Sequence, residues 1–260
     1  MIQQVHDTAD HEQSAPALGR LLGSGKVAEI FEFGDLVAKL YRSPAVKGSA
    51  FREAAALALA QSLGLPVPSV RAVQQIRDRW CVIMDRVDGS AFAEAGQRDP
   101  DWLRAYLAEM VRLHRLVHSR PGRGLGSMKA RLQTNIRAMT NLGEARKRLL
   151  LDGLATLPEG DRLCHGDFHP WNIMGSPGQP ILVDWVDACC GEPAADVCRS
   201  YVLMRPHLSD FASAYVDRYA AASAESRESI LRWLPFVAAA RLAEDVPDEV
   251  DSLMAMIDSA

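Results

Sequence analysis

The sequence predicts an α+β fold. A small antiparallel sheet with one helix comes first, and a larger, mainly helical part follows. Short β-type runs punctuated by turn residues crowd the start of the chain, whereas helix-period text dominates from about residue 101 onward. A Gly/Asp/Pro-bearing connector, DGSAFAEAGQRDPD, separates the two kinds of text.

Residues 1–17 are polar and read as a flexible tail. The runs ALGRLLGSG, VAEIFEF and DLVAKLY then read as strands, and Gly34-Asp35 marks a hairpin between the last two. GSAFREAAALALAQSL is Ala/Leu-rich helical text, ended by the Gly and two prolines of GLPVPSV. SVRAVQQI and RWCVIMDRV supply two more strands around a polar turn at Arg77-Asp78. Residues 18–87 are therefore expected to form a first lobe and residues 88–260 a second. In residues 101–118, Leu103, Tyr106, Leu107, Met110, His114 and Val117 recur at spacings of three and four, the signature of an amphipathic helix. More helix is expected at about 127–157 and from Asp196 to the C-terminus. The short β-type runs DRLCHGD, NIMG and QPILVDWV fall between these stretches. A cleft between two such lobes is a favoured place for a ligand.

The 260 residues are 48% hydrophobic and 24% charged, with a formal net charge of −4. That balance suits a core-forming domain and gives no reason to expect a nucleic-acid partner, because phosphate backbones recruit basic surfaces. No apolar run is long enough to span a membrane and the N-terminus lacks a secretory core segment, so a cytoplasmic protein is expected. The five cysteines are odd in number and contain no C-x-x-C pair, which points to reduced thiols buried as small apolar side chains.

The densest chemistry lies in LCHGDFHPWN, residues 163–172, which admits three readings. In a metal cage, His165, Asp167 and His169 would be the ligands. Gly166 and Pro170 make the segment a loop rather than a strand presenting one face, and no second His/Glu cluster supplies the remaining ligands. A Cys164 nucleophile needs a base beside it, yet its sequence neighbour His165 points to the opposite side of extended chain. The third reading is a phosphoryl-transfer loop. Asp167 would accept the substrate proton, and Asn172, at Asp-x-x-x-x-Asn spacing, would hold a metal ion.

Only the third reading finds its distant partners, and finds them in the required order. ILVDW supplies a second metal-binding carboxylate, Asp184, at the end of an apolar strand. LVAKLY supplies Lys39 for the nucleotide phosphates. FREAAALALA supplies Glu53 to orient that lysine. Gly23, Ser24 and Gly25 supply a turn to cover the phosphates. The turn is not a P-loop: Arg20 stands where the first glycine should be, Val27 where Ser or Thr should be, and the flanking elements are both strands. Lys26 reads as a solvated turn residue.

With these residues in place, HGDFHPWNIM followed by ILVDW resembles the signature of the aminoglycoside phosphotransferase / choline kinase-like family of small-molecule kinases. VIMDRVDGSAF is similar to the family's hinge, LHRLVHS to the helix before its catalytic loop, and GEPAADVCRS to its G-x-P-x-x-D segment; the resemblance runs over about residues 18–205. It implies a bilobal protein-kinase-like fold, ATP or GTP with Mg²⁺, and transfer of the γ-phosphoryl group to a small-molecule hydroxyl by a monomer or homodimer. Carried over residue by residue, Asp167 is the base, Asn172 and Asp184 hold the metal, Lys39 with Glu53 binds the phosphates, and backbone near Asp85 and Val87 holds the adenine edge. Ala28 departs from the glycine expected at the third position of the turn, and the C-terminal part reads as short for the group.

Several polar residues have structural readings beside the functional ones. His114, on an apolar stripe, is expected to be a buried, hydrogen-bonded histidine; His165 braces the loop; His169 and Asp187 support the site or touch substrate. Asp196 reads as a helix N-cap or loop anchor. Glu244, Asp245, Asp248, Glu249 and Asp251 read as a solvated acidic face near a helix start, or else as carboxylates for a polycationic acceptor. Trp171 and Trp185 are packing residues or acceptor wall. The acceptor is open between an aminoglycoside-type antibiotic, a sugar and an amino alcohol. A catalytically silent nucleotide-binding protein and a protein-side-chain kinase are the rival classes. The intact set Lys39, Glu53, Asp167, Asn172 and Asp184 argues against the first rival, and the absence of a long segment after Asp184 against the second.

Overall fold

Strand period sets the face on which each residue of the first sheet lies. In the computed structural model, which describes residues 17–43, 46–96, 102–140 and 142–258, strands β1 (Leu21–Ser24), β2 (Ala28–Phe33), β3 (Leu36–Tyr41), β4 (Val70–Ile76) and β5 (Arg79–Asp85) form one antiparallel sheet in the order β1-β2-β3-β5-β4. Ala38, Leu40, Cys81 and Ile83 pack with Phe33 on one face. Val37, Tyr41, Val82 and Met84 join the main core on the other, where helix α1 (Lys47–Ser62) lies against β4 and β5. Lys39 has the parity of Val37 and Tyr41, so it is aimed at the helix that carries Glu53. Gly34 takes φ 61°, and Arg77 and Asp78 take φ 50° and 61°, as tight two-residue hairpin turns require.

The helical part is assembled around α3 (Trp102–His118). Leu107, Met110, His114 and Val117 are buried, as the stripe predicts, and Tyr106 is half-buried; Val111 and Leu113 are buried as well, and the side chain of Leu103 lies outside the described residues. Helix α4 (Met128–Ala138) starts at Ser127, whose hydroxyl accepts from the Ala130 N–H, and α5 (Glu144–Ala155) packs against it. Helices α6 (Pro193–Met204), α7 (Ser209–Ala222), α8 (Arg227–Leu231), α9 (Leu234–Leu242) and α10 (Val250–Asp258) complete it, with α7 against α3 and α9 against α4 and α6. No helix among the described residues is long and apolar enough to cross a membrane.

Two small ladders carry the site loops. Strand β6 (Arg162–Cys164) pairs with β9 (Cys189–Gly191), and β7 (Ile173–Ser176) pairs with β8 (Gln179–Leu182). The β7–β8 hairpin ties back to the sheet side, since the Leu182 N–H donates to the Pro66 carbonyl at 2.8 Å and that of Gly175 to Ser90 at 3.0 Å.

Some expectations change. The strand through ILVDW stops at Leu182, so Asp184 lies beyond it, in a left-handed conformation with φ 62°. A short helix, α2 (Phe92–Gly96), forms inside the stretch read as connector, because Phe92 is a fully buried anchor. Strand β9 was not anticipated: two cysteines and a glycine carry little strand signal. Glu244 and Asp245 follow the C-terminal end of α9, so they are not placed by a helix start; Asp248, Glu249 and Asp251 do sit at the entry to α10. The N-terminal tail through residue 16 and residues 97–101 of the connector lie outside the described residues.

Candidate active site

Lys39 is 5% exposed, and its ammonium lies 2.7 Å from Glu53 Oε1 and 2.8 Å from Asp184 Oδ1. Burial would lower the pKa of this ammonium. The charges and hydrogen bonds of Glu53 and Asp184 outweigh that and raise it, so Lys39 stays charged. Burial raises the pKa of Glu53 despite Lys39. The Tyr41 hydroxyl donates to the second oxygen of Glu53, which leaves neither carboxylate oxygen idle. The α1 helix and β3 thus bring together a lysine and a glutamate fourteen residues apart, and the lysine also reaches Asp184 from across the chain.

The loop that carries Asp167 is built backward from Asp196. This carboxylate is fully buried in the first turn of α6, where it accepts from the His165 N–H at 2.7 Å and the Gly166 N–H at 2.9 Å. His114 Nε2 at 2.9 Å and His118 Nε2 at 3.2 Å reach the same Oδ2. Burial pushes His114 down to about 3, which keeps it neutral and leaves its Nε2–H to donate to Asp196. Burial would raise the pKa of Asp196, but these hydrogen bonds hold it well below the usual carboxylate value. The hydroxyls of Tyr215 and Tyr219 meet the two Nδ1 atoms, so the imidazoles are partnered on both sides. Asp196 is therefore a loop anchor and not an N-cap; that position belongs to Glu192.

Gly166 takes φ 79°, and a Cβ there would stand 2.2 Å from the Asp187 carbonyl oxygen. Only glycine fits a backbone approach this close. The Arg199 guanidinium covers the Gly166 carbonyl, and His165 Nε2 contacts the Val183 carbonyl at 3.1 Å. Asp167 emerges from this support with its side chain 24% exposed. Asn172 Nδ2 donates to Asp167 Oδ2 and to the Asp167 carbonyl, each at 2.9 Å, and His169 Nε2 lies 3.4 Å from the same Oδ2. Burial raises the pKa of Asp167, but His169, Arg199 and His165 overcome it, and the carboxylate is held in its ionised form. Because the Asn172 amide nitrogen is committed to Asp167, its oxygen is left as the acceptor. The nearby Asp184 carboxylate, 34% exposed, adds further oxygens, a donor set that fits a hard divalent cation such as Mg²⁺.

The other expected residues lie around this centre without joining it. Gly23 and Ser24 end β1 and Gly25 opens the turn to β2; the Arg42 guanidinium donates to Ser24 Oγ at 2.6 Å and to the Gly25 carbonyl at 3.0 Å. Asp85 ends β5 with its carboxylate 2.6 Å from Arg71 Nε, and half-buried Val87 follows it. The Asp187 carbonyl accepts from Arg131 at 2.6 Å. Lys26 is not merely a solvated turn residue: its ammonium donates to the carbonyls of Glu244 at 2.8 Å and Asp245 at 2.6 Å, beyond the end of α9. Trp185 is fully buried and is a packing residue, whereas Trp171 is 40% exposed. Tyr41, Arg131, Arg199, His118, Tyr215 and Tyr219 went unread in the sequence. Only the parity shared by Lys39 and Tyr41 could have flagged one of them.

The chain and its fold have known relatives. The model of the phosphotransferase enzyme family matches residues 19–234. The streptomycin 6-kinase of Streptomyces griseus is 26% identical over 136 residues, which is 49% of this chain and 44% of that protein. The chain therefore spans less than half the length of this curated relative. Among solved structures, a ternary complex of aminoglycoside phosphotransferase APH(4)-Ia with ADP and hygromycin B superposes with a TM-score of 0.68 at 16% identity, covering 95% of this chain and 93% of that one. Aminoglycoside phosphotransferase APH(3'')-Id from Streptomyces rimosus, in complex with ADP and streptomycin, gives 0.60 at 18% identity over 82% and 90%. At these identities the likeness shows the shared protein-kinase-like fold.

Proposed function

Since this chain belongs to the phosphotransferase enzyme family, we propose that it moves the γ-phosphoryl group of ATP to a hydroxyl of a small molecule of the aminoglycoside type. The observation that carries the reading is the pairing of an ionised, accessible Asp167 with a buried Lys39 held between Glu53 and Asp184. Phosphoryl transfer is mostly positioning and charge neutralisation, and these groups supply both. Lys39 meets the nucleotide phosphates. Glu53, fixed by Tyr41, aims it. Asn172 and Asp184 would hold Mg²⁺, whose charge offsets that of the phosphate oxygens. Asp167 orients the acceptor hydroxyl and takes its proton. His169, 3.4 Å from that carboxylate, supports it or touches the substrate. The glycine-bearing turn at Gly23, Ser24 and Gly25 covers the phosphates, and the strand end at Asp85 and Val87 receives the base. The likeness to a streptomycin kinase and to antibiotic-bound structures favours an aminoglycoside over a sugar or an amino alcohol.

The test is acceptor-dependent ADP release with Mg²⁺, run with streptomycin, hygromycin B, simple sugars and choline. Streptomycin or hygromycin B is expected to stimulate release. Asp167→Asn is expected to cut turnover by about 10³-fold or more while ATP still binds, the loss typical of removing a transition-state group. No stimulation by any acceptor, or full activity in the Asn variant, would overturn the reading.

A further inference from the structure

Trp171 sits in the short 3-10 turn Pro170–Asn172, between two residues that touch Asp167, and its indole remains 40% exposed. Pro170 and Asn172 on either side are buried, so the turn is firmly seated and pushes this one ring outward. The His169 ring lies 5.6 Å from the indole and nearly perpendicular to it, and the exposed His207 ring, from the connection between α6 and α7, approaches at 6.0 Å in the same manner. The three rings make a ledge that starts 3.4 Å from the Asp167 carboxylate and runs outward to solvent. A large aromatic left this open beside a catalytic carboxylate is poorly explained by packing, because burial is what stabilises such a ring.

Three carboxylates of the same lobe are already engaged. Asp187 is paired with Arg131, Glu244 with Arg199 and Arg241, and Glu249 with Arg241. An acceptor therefore gains less from free negative charge here than from the ledge. An amino sugar suits it: the C–H face of the ring is apolar, and its ammonium groups are drawn to the electron-rich face of an indole.

We infer that Trp171, backed by His207, is the specificity-determining wall of the acceptor site. It takes the second ring of an amino-sugar glycoside whose first ring presents its hydroxyl to Asp167. The inference rests on the phosphotransferase reading of this site. It implies discrimination by ring number, since a one-ring acceptor reaches Asp167 without reaching the indole.

The experiment compares streptomycin with streptidine, its one-ring cyclitol fragment, on the wild type, Trp171→Ala, Trp171→Phe and His207→Ala. Trp171→Ala should raise the streptomycin KM by about tenfold with little change in kcat, the size of one lost stacking contact. Streptidine KM should move less than about twofold, and Trp171→Phe should restore most of the loss, because the contact is with a ring face. His207→Ala should give a smaller rise with streptomycin alone. Equal changes for both acceptors, or an unchanged streptomycin KM, would overturn the inference while leaving phosphoryl transfer intact. Calorimetric titration of streptomycin into the ADP-loaded protein separates the two readings. Binding weakened by Trp171→Ala with no turnover in the wild type would sink the transfer reaction alone. Equal binding by both proteins, or none by the wild type, would sink the wall. A thermal midpoint for each variant confirms that it is folded.

Discussion

Residues 165–172 are held from behind by Asp196, from the side by Arg199 and from below by the Val183 carbonyl, all through buried or half-buried groups. Residues 23–26 close the edge hairpin of β1 and β2, and beyond that ladder their side-chain ties are those of Arg42 and the reach of Lys26 to the end of α9, through exposed groups. The first segment carries Asp167 and Asn172, and the second is proposed to cover the phosphates. The difference assigns them different physical jobs. Groups that must meet a transition state are fixed before substrate arrives. A flap that must admit and release a nucleotide is kept near the low end of local stability, where a small change in free energy opens it.

The largest expected effect tests the fixed side. Asp196→Ala removes the acceptor of two buried backbone N–H groups and two imidazoles, and should lower folding stability by about 3–5 kcal/mol, as expected for breaking a buried charged network. A denaturant midpoint reads it. A loss under about 1 kcal/mol would mean that the loop is held by something other than this anchor.

A pH series sharpens the same contrast. His114 is held neutral with its pKa lowered from 6.5 to about 3, so between those values the unfolded chain binds a proton that the folded chain refuses. Stability is full above pH 6.5 and should fall as pH drops through that window, by up to about 1.4 kcal/mol per unit. Asp196, shifted below its usual value of 3.8, adds to the loss from the bottom of that window downward. Unfolding midpoints between pH 8 and 4 check the sign; a flat profile would show that the imidazole accepts its proton in place.

The smallest effect belongs to the flap. Lys26→Ala removes an exposed tether and should change stability by less than about 0.5 kcal/mol. It should nonetheless raise the nucleotide dissociation rate, measured by stopped-flow displacement of a fluorescent ATP analogue. A stability loss as large as that of Asp196→Ala would erase the distinction between the two segments.

Much of this was legible in the sequence because the signals are local. Period-two runs and the Gly34-Asp35 and Arg77-Asp78 turns define the sheet, and the parity of LVAKLY aims Lys39 at the helix bearing Glu53. The Asp167–Asn172 spacing is legible because one short loop carries both residues and the Asn172 amide bonds back to Asp167. What escaped is long-range or conformational. His114 meets Tyr215, and His118 meets Tyr219, across 101 residues, and the tyrosines look like ordinary residues of an Ala-rich helix. Arg199 and Glu244 are joined across 45 residues of similar text, and nothing in ILVDW announces that Asp184 abandons the strand for a left-handed backbone. The exposure of Trp171 and the burial of Trp185 are set by neighbours that no local pattern encodes.

The contact between Gly166 and the Asp187 carbonyl also bears on how this protein can change over generations. A clash with a side chain can be relieved by a second substitution, but the obstacle here is a main-chain oxygen, which every amino acid at position 187 supplies. No single partner change can therefore rescue a side chain at position 166. The Asp187 side chain, 40% exposed, is free of that restriction. Random variation can thus redraw the surroundings of Asp187 while the backbone beneath the proposed catalytic carboxylate stays as it is, so on the proposed reading new acceptors are within reach of this scaffold more readily than new chemistry.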